Sequence, residues 1–351
     1  MLKLNKLRIL VIWIIFLLIA DFLFGSQIMT LVTNLTNDYF RIRHSVFHHS
    51  LRENISVKDH WGGLTYRLCT DTYGYKTSCN EVPKKNTENL REIVFLGDSF
   101  TEGIGLNYEE TFVGLLDYSL PDSKIFNLGV ASYSPSIYFQ KLKTHLKNNN
   151  NPDIIILAPD ISDVEDEAAI YNVSGDLIPY DYSRSYLDYK LKRVLFNSFP
   201  VSTTLIARIL QNNQKKNNSK KIPDPRSAWT YLSDEKIPFS LETAIKRFKS
   251  SVIEISKLTN DNTELYIVLF PWPDQIKNDP NATKYVDIWN NICKENKICK
   301  KVINTFTQFN QVKKKLGKDK LIEQMYINGD VHFNKNGNTF LANIIHKEIF
   351  R

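Results

Sequence analysis

Apolar and polar positions follow three different rhythms along this chain. From Ile9 to Ala20 every residue is apolar; Asp21 interrupts, and Phe22 to Phe24 resume the run. Apolar residues on every face are not the pattern of an amphipathic surface helix, and they predict a helix immersed in apolar surroundings. From residue 91 onward, short apolar runs alternate with amphipathic ones. "EIVFLG", "KIFNLGV", "PDIIILAP" and "ELYIVLFPWP" read as strands. "SIYFQKLKTHLKNNN", "TAIKRFKSSVIEISKL" and "NGNTFLANIIHKEIF" read as helices. Strands alternating with helices predict a parallel sheet covered on both faces, with any site at the C-terminal strand ends. Two stretches break this rhythm. Residues 33–90 carry a histidine cluster (His44, His48, His49), a Trp-Gly-Gly turn and the linker-like "KKNTENL". Residues 172–239 hold a helical pattern around Pro200, a Lys/Asn-rich loop and "IPDPRSAW". They read as an insertion, either a lid or a surface that meets membrane or polymer. No internal repeat is present.

Charge and cysteine content place the chain. Lys3, Lys6 and Arg8 precede the first apolar run. That run is a little short of the roughly 20 residues a span needs, but "SQIMTLV" extends it. Basic residues on its N-terminal side predict a cytoplasmic N-terminus. No small-x-small cleavage site follows, so residues 1–32 read as a cytoplasmic tip and an uncleaved transmembrane signal anchor. Residues 33–90 then form an extracytoplasmic segment, and 91–351 the main domain with its insertion at about 172–239.

The cysteines fall in two local pairs, Cys69 with Cys79 and Cys293 with Cys299. Neither has Cys-x-x-Cys spacing or an accompanying histidine, so two disulfides in an oxidising compartment are expected rather than zinc. The sequons at Asn34, Asn54, Asn172 and Asn281 are what an asparagine-rich chain carries by chance. Composition rich in Asn, Lys and Ile suggests an AT-rich genome. The expected location is a bacterial inner membrane, crossed once, with the domain in the periplasm. The net charge of +7 comes from scattered lysines and one cluster at 212–221. It includes no basic-aromatic array, which argues against nucleic acid as a partner.

Candidate chemistry centres on "REIVFLGDSFTEGIG", residues 91–105, where a strand drops into Gly-Asp-Ser. Ser99 reads as a nucleophile at a strand end or as a helix cap. A serine needs a histidine to take its proton and a carboxylate to orient that histidine. Of the seven histidines, His145 lies among lysines in a helix and reads as solvated, and His346 sits in the terminal helix. His44, His48, His49 and His60 precede the main domain. His332 stands apart, because Asp330 lies two residues before it and an extended backbone turns both side chains to one face. The serine turn is not the Gly-x-Ser-x-Gly elbow, since Thr101 takes the last position.

Together, "FLGDSFTEGIG", "NLGVASYSP" and "GDVHFNKNG" resemble the SGNH (GDSL-type) hydrolases, over roughly 92–171 and 262–350. "FPWPDQI" followed by "IWNNICKENKIC" resembles a segment of membrane-anchored bacterial members. The resemblance implies a flavodoxin-like three-layer α/β/α sandwich with no cofactor or metal. It implies Ser99 as nucleophile, His332 as general base and Asp330 as its orienting carboxylate. It also implies an oxyanion held by the amides of Ser99 and Gly129. The family's Gly-x-Asn-Asp is replaced by "LAPDISDVEDEA", where Ser162 best matches the oxyanion asparagine by position and Asp160 is the alternative. In the other reading, Asp160, Asp163, Glu165, Asp166 and Glu167 form a solvated helix start. Trp272 is a candidate for stacking on a sugar ring. The function implied is an extracytoplasmic serine esterase acting on O-acyl, chiefly O-acetyl, esters of envelope glycans through an acyl-serine. The alternatives are an O-acyltransferase on the same glycans, a lipid esterase, and a non-catalytic glycan-binding or assembly protein with a decayed oxyanion hole.

Overall fold

The apolar runs pair as their composition demands. In the computed structural model, which describes residues 2–35, 40–80, 90–149, 151–169, 171, 195, 198–203, 205–206, 225–237 and 239–351, five strands form one parallel sheet. They are β6 (Arg91–Gly97), β7 (Ser123–Asn127), β8 (Ile154–Ala158), β9 (Glu264–Leu269) and β10 (Lys301–Asn304), in the order β10-β9-β8-β6-β7. Counted within the sheet this is 2-1-3-4-5, the flavodoxin-like order, with its switch point between β6 and β8. The central runs are apolar throughout because both faces are covered: Ile93 to Leu96 and Ile154 to Ala158 are wholly buried or nearly so.

Helices α4 (Pro135–His145), α5 (Asp163–Ala169), α6 (Leu241–Lys257) and α7 (Thr283–Asn296) pack together in one layer. α3 (Phe112–Ser119) packs against α9 (Lys335–Ile349), and the helix 318–325 lies beside both α8 (Phe306–Leu316) and α9. The expected α/β sandwich with a parallel sheet is therefore present. His145 departs from expectation. Its ring is buried between Phe126 and Tyr75, with Nδ1 3.1 Å from the Tyr75 hydroxyl. Burial holds its pKa down to about 4.

The boundary expected near residue 90 does not separate two bodies. Residues 40–178 and 224–351 form one compact unit, and small antiparallel hairpins built from 41–77 are fastened into it. Strands β1 (Arg41–His44) and β2 (His48–Leu51) pair with each other, and β3 (Ser56–Trp61), β4 (Leu64–Thr70) and β5 (Lys76–Thr77) form a three-stranded sheet. Arg41 makes a two-pronged ion pair with buried Glu102, at 2.6 and 3.0 Å. The Lys76 ammonium, fully buried, donates to the carbonyls of Gly103 and Leu106 at 2.7 Å each. Burial lowers its pKa to about 8. Both expected disulfides, Cys69–Cys79 and Cys293–Cys299, are formed and no cysteine is free.

The second unit joins residues 1–39 to 179–223. Its described part is α1 (Leu2–Leu35), within which Val11–Ile28 is long and apolar enough to cross a membrane, together with a few residues between 195 and 206. Most of the insertion expected at 172–239 lies outside the described residues. Its last part belongs to the main unit, where Trp229 is buried and its indole N–H donates to the Ile161 carbonyl at 3.0 Å.

Candidate active site

β6 ends at Gly97, and Asp98 caps the short helix α2 (Ser99–Glu102), its carboxylate accepting from the Phe100 amide at 3.0 Å. Ser99 is therefore both the first residue of a helix and a side chain displayed beyond a strand end, so the two readings of the serine turn hold together. Its Oγ lies 2.8 Å from His332 Nε2 and 2.9 Å from Asp98 Oδ2. His332 Nδ1 lies 2.5 Å from Asp330 Oδ1, and the His332 amide donates to the same oxygen at 3.0 Å. The segment carrying both is held by the Tyr326–Phe333 bridge and by Asn334, which caps α9. Three side chains from the two ends of the domain thus form one hydrogen-bonded chain. Burial alone would raise the Asp330 carboxyl. The hydrogen bonds from His332 and from Trp61 outweigh it, and the pKa falls to about 2.

Trp61 joins this group without any expectation from the sequence. Its indole N–H donates to Asp330 Oδ2 at 2.9 Å, and its ring meets the His332 ring edge-on at 5.5 Å between centroids. It is delivered by the turn joining β3 to β4. There Gly62 and Gly63 both have positive φ, at 56° and 78°, as a two-residue hairpin turn of this hand requires. A side chain at Gly62 would also strike Ile327, since an added Cβ would fall 2.6 Å from its Cγ2. The Trp-Gly-Gly turn was the available signal.

The oxyanion candidates are arranged differently from expectation. The Ser99 amide has no acceptor among the described residues, so this donor is open. The Gly129 amide is already taken by Asn127 Oδ1 at 3.0 Å. Gly129 is small for another reason: a Cβ there would fall 2.6 Å from Thr101 Cβ and 2.7 Å from the Glu102 amide, so α2 packs directly on its backbone. At the tip of the same loop Ser132 sits in the left-handed region at φ 63°, and its amide too has no acceptor among the described residues. Strain of this kind in a non-glycine residue is stored where surrounding structure enforces it.

Asp160 and Ser162 turn to each other, the Ser162 amide donating to Asp160 Oδ1. Asp160 Oδ2 accepts from the Trp272 indole at 3.1 Å. Trp272 is only 2% exposed and packs near Phe100, so it offers no face to a sugar. The acidic run is not a solvated helix start either. Asp160, Asp163, Glu165 and Glu167 are buried, and Glu167 accepts from Ser134, from Ser136 and from the amide that opens α4. Carboxylate oxygens of Asp98, Asp160 and Asp163 approach within 4.8 Å of one another. Every oxygen of the three except Asp163 Oδ1 already accepts from a protein donor. Those donors leave the trio poorly suited to encircle a cation. Burial, and then the neighbouring carboxylates, push Asp98 and Asp163 well above the usual range, and burial raises Asp160. Burial thus favours the neutral form of each carboxyl over three adjacent charges.

The strand order, the displayed serine and the paired Asp330 and His332 coincide with what the sequence motifs imply. The fold is the flavodoxin-like α/β/α sandwich that the resemblance implies. No family model matches the chain, and no curated protein sequence does. Among solved structures, it is similar to a member of the lipolytic G-D-S-L family from Veillonella parvula, at 14% identity over 74% of this chain and 99% of that one, with a TM-score of 0.42. It is also similar to a catalytic mutant of an acetylxylan esterase from Geobacillus stearothermophilus, at 17% identity over 74% and 94%, with a TM-score of 0.40.

Proposed function

We infer that this protein is a serine ester hydrolase of the SGNH type. The observation that carries the reading is the continuous hydrogen-bonded chain Ser99–His332–Asp330, with an ionised carboxylate at its far end. His332 Nε2 takes the Ser99 proton as Oγ attacks the ester carbonyl, and Asp330 steadies the imidazolium that forms. The tetrahedral oxyanion is received by the open Ser99 amide. Preorganised donors of this kind are each worth about 3 kcal/mol at the transition state. The alcohol leaves with the proton from His332, and water, activated by the same imidazole, releases the acid from acyl-Ser99.

The substrate we favour is an O-acyl, chiefly O-acetyl, ester of an envelope glycan, reached by a domain tethered on the outer side of a cytoplasmic membrane. Two features support this. Trp61 is 38% exposed beside His332, so part of its indole remains available to a sugar ring. The disulfides and the apolar α1 suit an exported, anchored domain. A sugar hydroxyl replacing water would make the same site an acyltransferase.

The test is a fluorophosphonate probe on the full chain in detergent. Labelling of wild type but not of Ser99→Ala, together with acetate release from acetylated polysaccharide, is the expected result. Absence of labelling in folded wild type would replace this reading with a non-catalytic glycan-binding module. Release of fatty acid but not acetate would move it to lipid esters.

A further inference from the structure

Asp21 lies inside the apolar stretch Val11–Ile28, about 15 Å along the helix from its start and about 10 Å from its end. A carboxylate at that depth demands a partner, because hydrocarbon supplies none. It has two: Oδ1 accepts from the Val201 amide at 3.1 Å and Oδ2 from the Ser202 amide at 2.7 Å. The residue is 6% exposed, while its neighbours Phe22, Leu23 and Phe24 are more than half exposed. Phe22 meets Phe199 at 5.9 Å between ring centroids, and an added Cβ at Gly25 would lie 3.0 Å from the Pro200 ring. Residues 199–202 are thereby held against α1 at the level of Asp21.

We propose that the insertion carries a re-entrant element seated in the lipid bilayer beside α1 and pinned there by Asp21. The proposal rests on α1 being the membrane anchor, and its consequence is geometric: whatever bonds Asp21 shares its depth. The sequence agrees. Val194 to Ala207 includes no charged residue, with Lys190, Lys192 and Arg193 on one side and Arg208 on the other. Fourteen residues are too few to span and suit an element that enters and leaves by one face. Leu205 and Ile206 are exposed at 58% and 55%, as much as the flank of α1 itself. Exposed apolar side chains on both elements fit acyl chains as the common neighbour. Backbone amides freed near Pro200 need acceptors at that depth, and Asp21 provides them. The lipid surface is thus a partner of residues well apart in sequence from the N-terminal helix.

The native cysteines are all disulfide-bonded, so a single introduced cysteine is a clean probe. Full-length Ile12→Cys, Leu205→Cys and Tyr118→Cys proteins would be reconstituted in phosphatidylglycerol/phosphatidylethanolamine vesicles and treated with a water-soluble maleimide before and after detergent. Tyr118, 92% exposed in the main unit, is the aqueous reference. Protection of the Ile12→Cys and Leu205→Cys proteins at least tenfold beyond the Tyr118→Cys protein, lost in detergent, supports the proposal. Protection of the Ile12→Cys protein alone overturns it and leaves the anchor standing. Ready labelling of the Ile12→Cys protein in vesicles overturns the anchor reading and the proposal together. In the Leu205→Cys background, Asp21→Ala is expected to raise labelling several-fold. Unchanged labelling would show that Asp21 is not the pin and would overturn that part.

Discussion

The indole N–H of Trp61 donates to the second carboxylate oxygen of Asp330, joining residues 269 positions apart. The first oxygen of that carboxylate faces His332, so Trp61 closes the far end of the hydrogen-bonded chain that begins at Ser99. Trp61→Phe keeps an aromatic ring but loses the donor. A hydrogen bond to a charged group is worth about 1.5 kcal/mol, and kcat/KM is expected to fall roughly tenfold. If Trp61 acts through the carboxylate, Trp61→Phe in an Asp330→Asn background costs almost nothing further. Independent, additive losses in this double-mutant cycle would show that Trp61 acts on substrate alone.

Asp330→Asn preserves shape but supplies an amide where His332 needs an acceptor. A loss of kcat on the order of thousandfold is expected with little change in KM. A loss confined to KM would remove Asp330 from the reacting chain.

Trp272 gives the opposite pattern. Buried, and donating to buried Asp160, it serves stability. Trp272→Phe strands that acceptor and should destabilise by about 1–3 kcal/mol in chemical denaturation, with KM for an acetylated glycan unchanged. A raised KM at unchanged stability would restore the sugar-stacking role.

Gly129→Ala separates packing from oxyanion binding. The added methyl meets Thr101 and the Glu102 amide, so a stability loss of about 1–3 kcal/mol is expected. Wild-type stability with reduced kcat would instead favour a role at the oxyanion.

The buried trio sets a pH dependence. Asp98 and Asp163 titrate well above the usual carboxylate range in the folded chain, chiefly through burial. The folded state then binds more protons than the unfolded one. Their stability contribution is fully present below the unfolded carboxyl range, near pH 4, and is lost as pH rises from there towards the folded values. Asp163→Asn cannot ionise and keeps an oxygen for the Tyr138 hydroxyl and the Asp160 amide. Its thermal midpoint should fall less than wild type between pH 5 and pH 8; an equal or steeper fall would contradict proton retention.

Much of this was legible in the chain because it depends on short-range pattern. The apolar runs of β6 and β8 announce buried parallel strands. The two-residue spacing of Asp330 and His332 keeps them within reach, and they meet across a bend in which the His332 amide donates to Asp330 Oδ1. Cysteines ten and six residues apart favour the local pairing observed. What needed the fold are relationships between distant segments. Solvation is one, since nothing local says that His145 or the run from Asp160 to Glu167 lies inside. A hydrogen-bond partner is another: the Gly129 amide is taken by Asn127, Trp272 turns inward to Asp160, and Trp61 reaches Asp330 from a hairpin that precedes the first strand of the main sheet. Sequence pointed to the strands, to the grouping of Ser99, His332 and Asp330 and to the disulfides, because backbone period and residue chemistry are local properties. Tertiary structure alone decided which amides stay open and which carboxylates keep their protons, because burial and pairing belong to the packed whole.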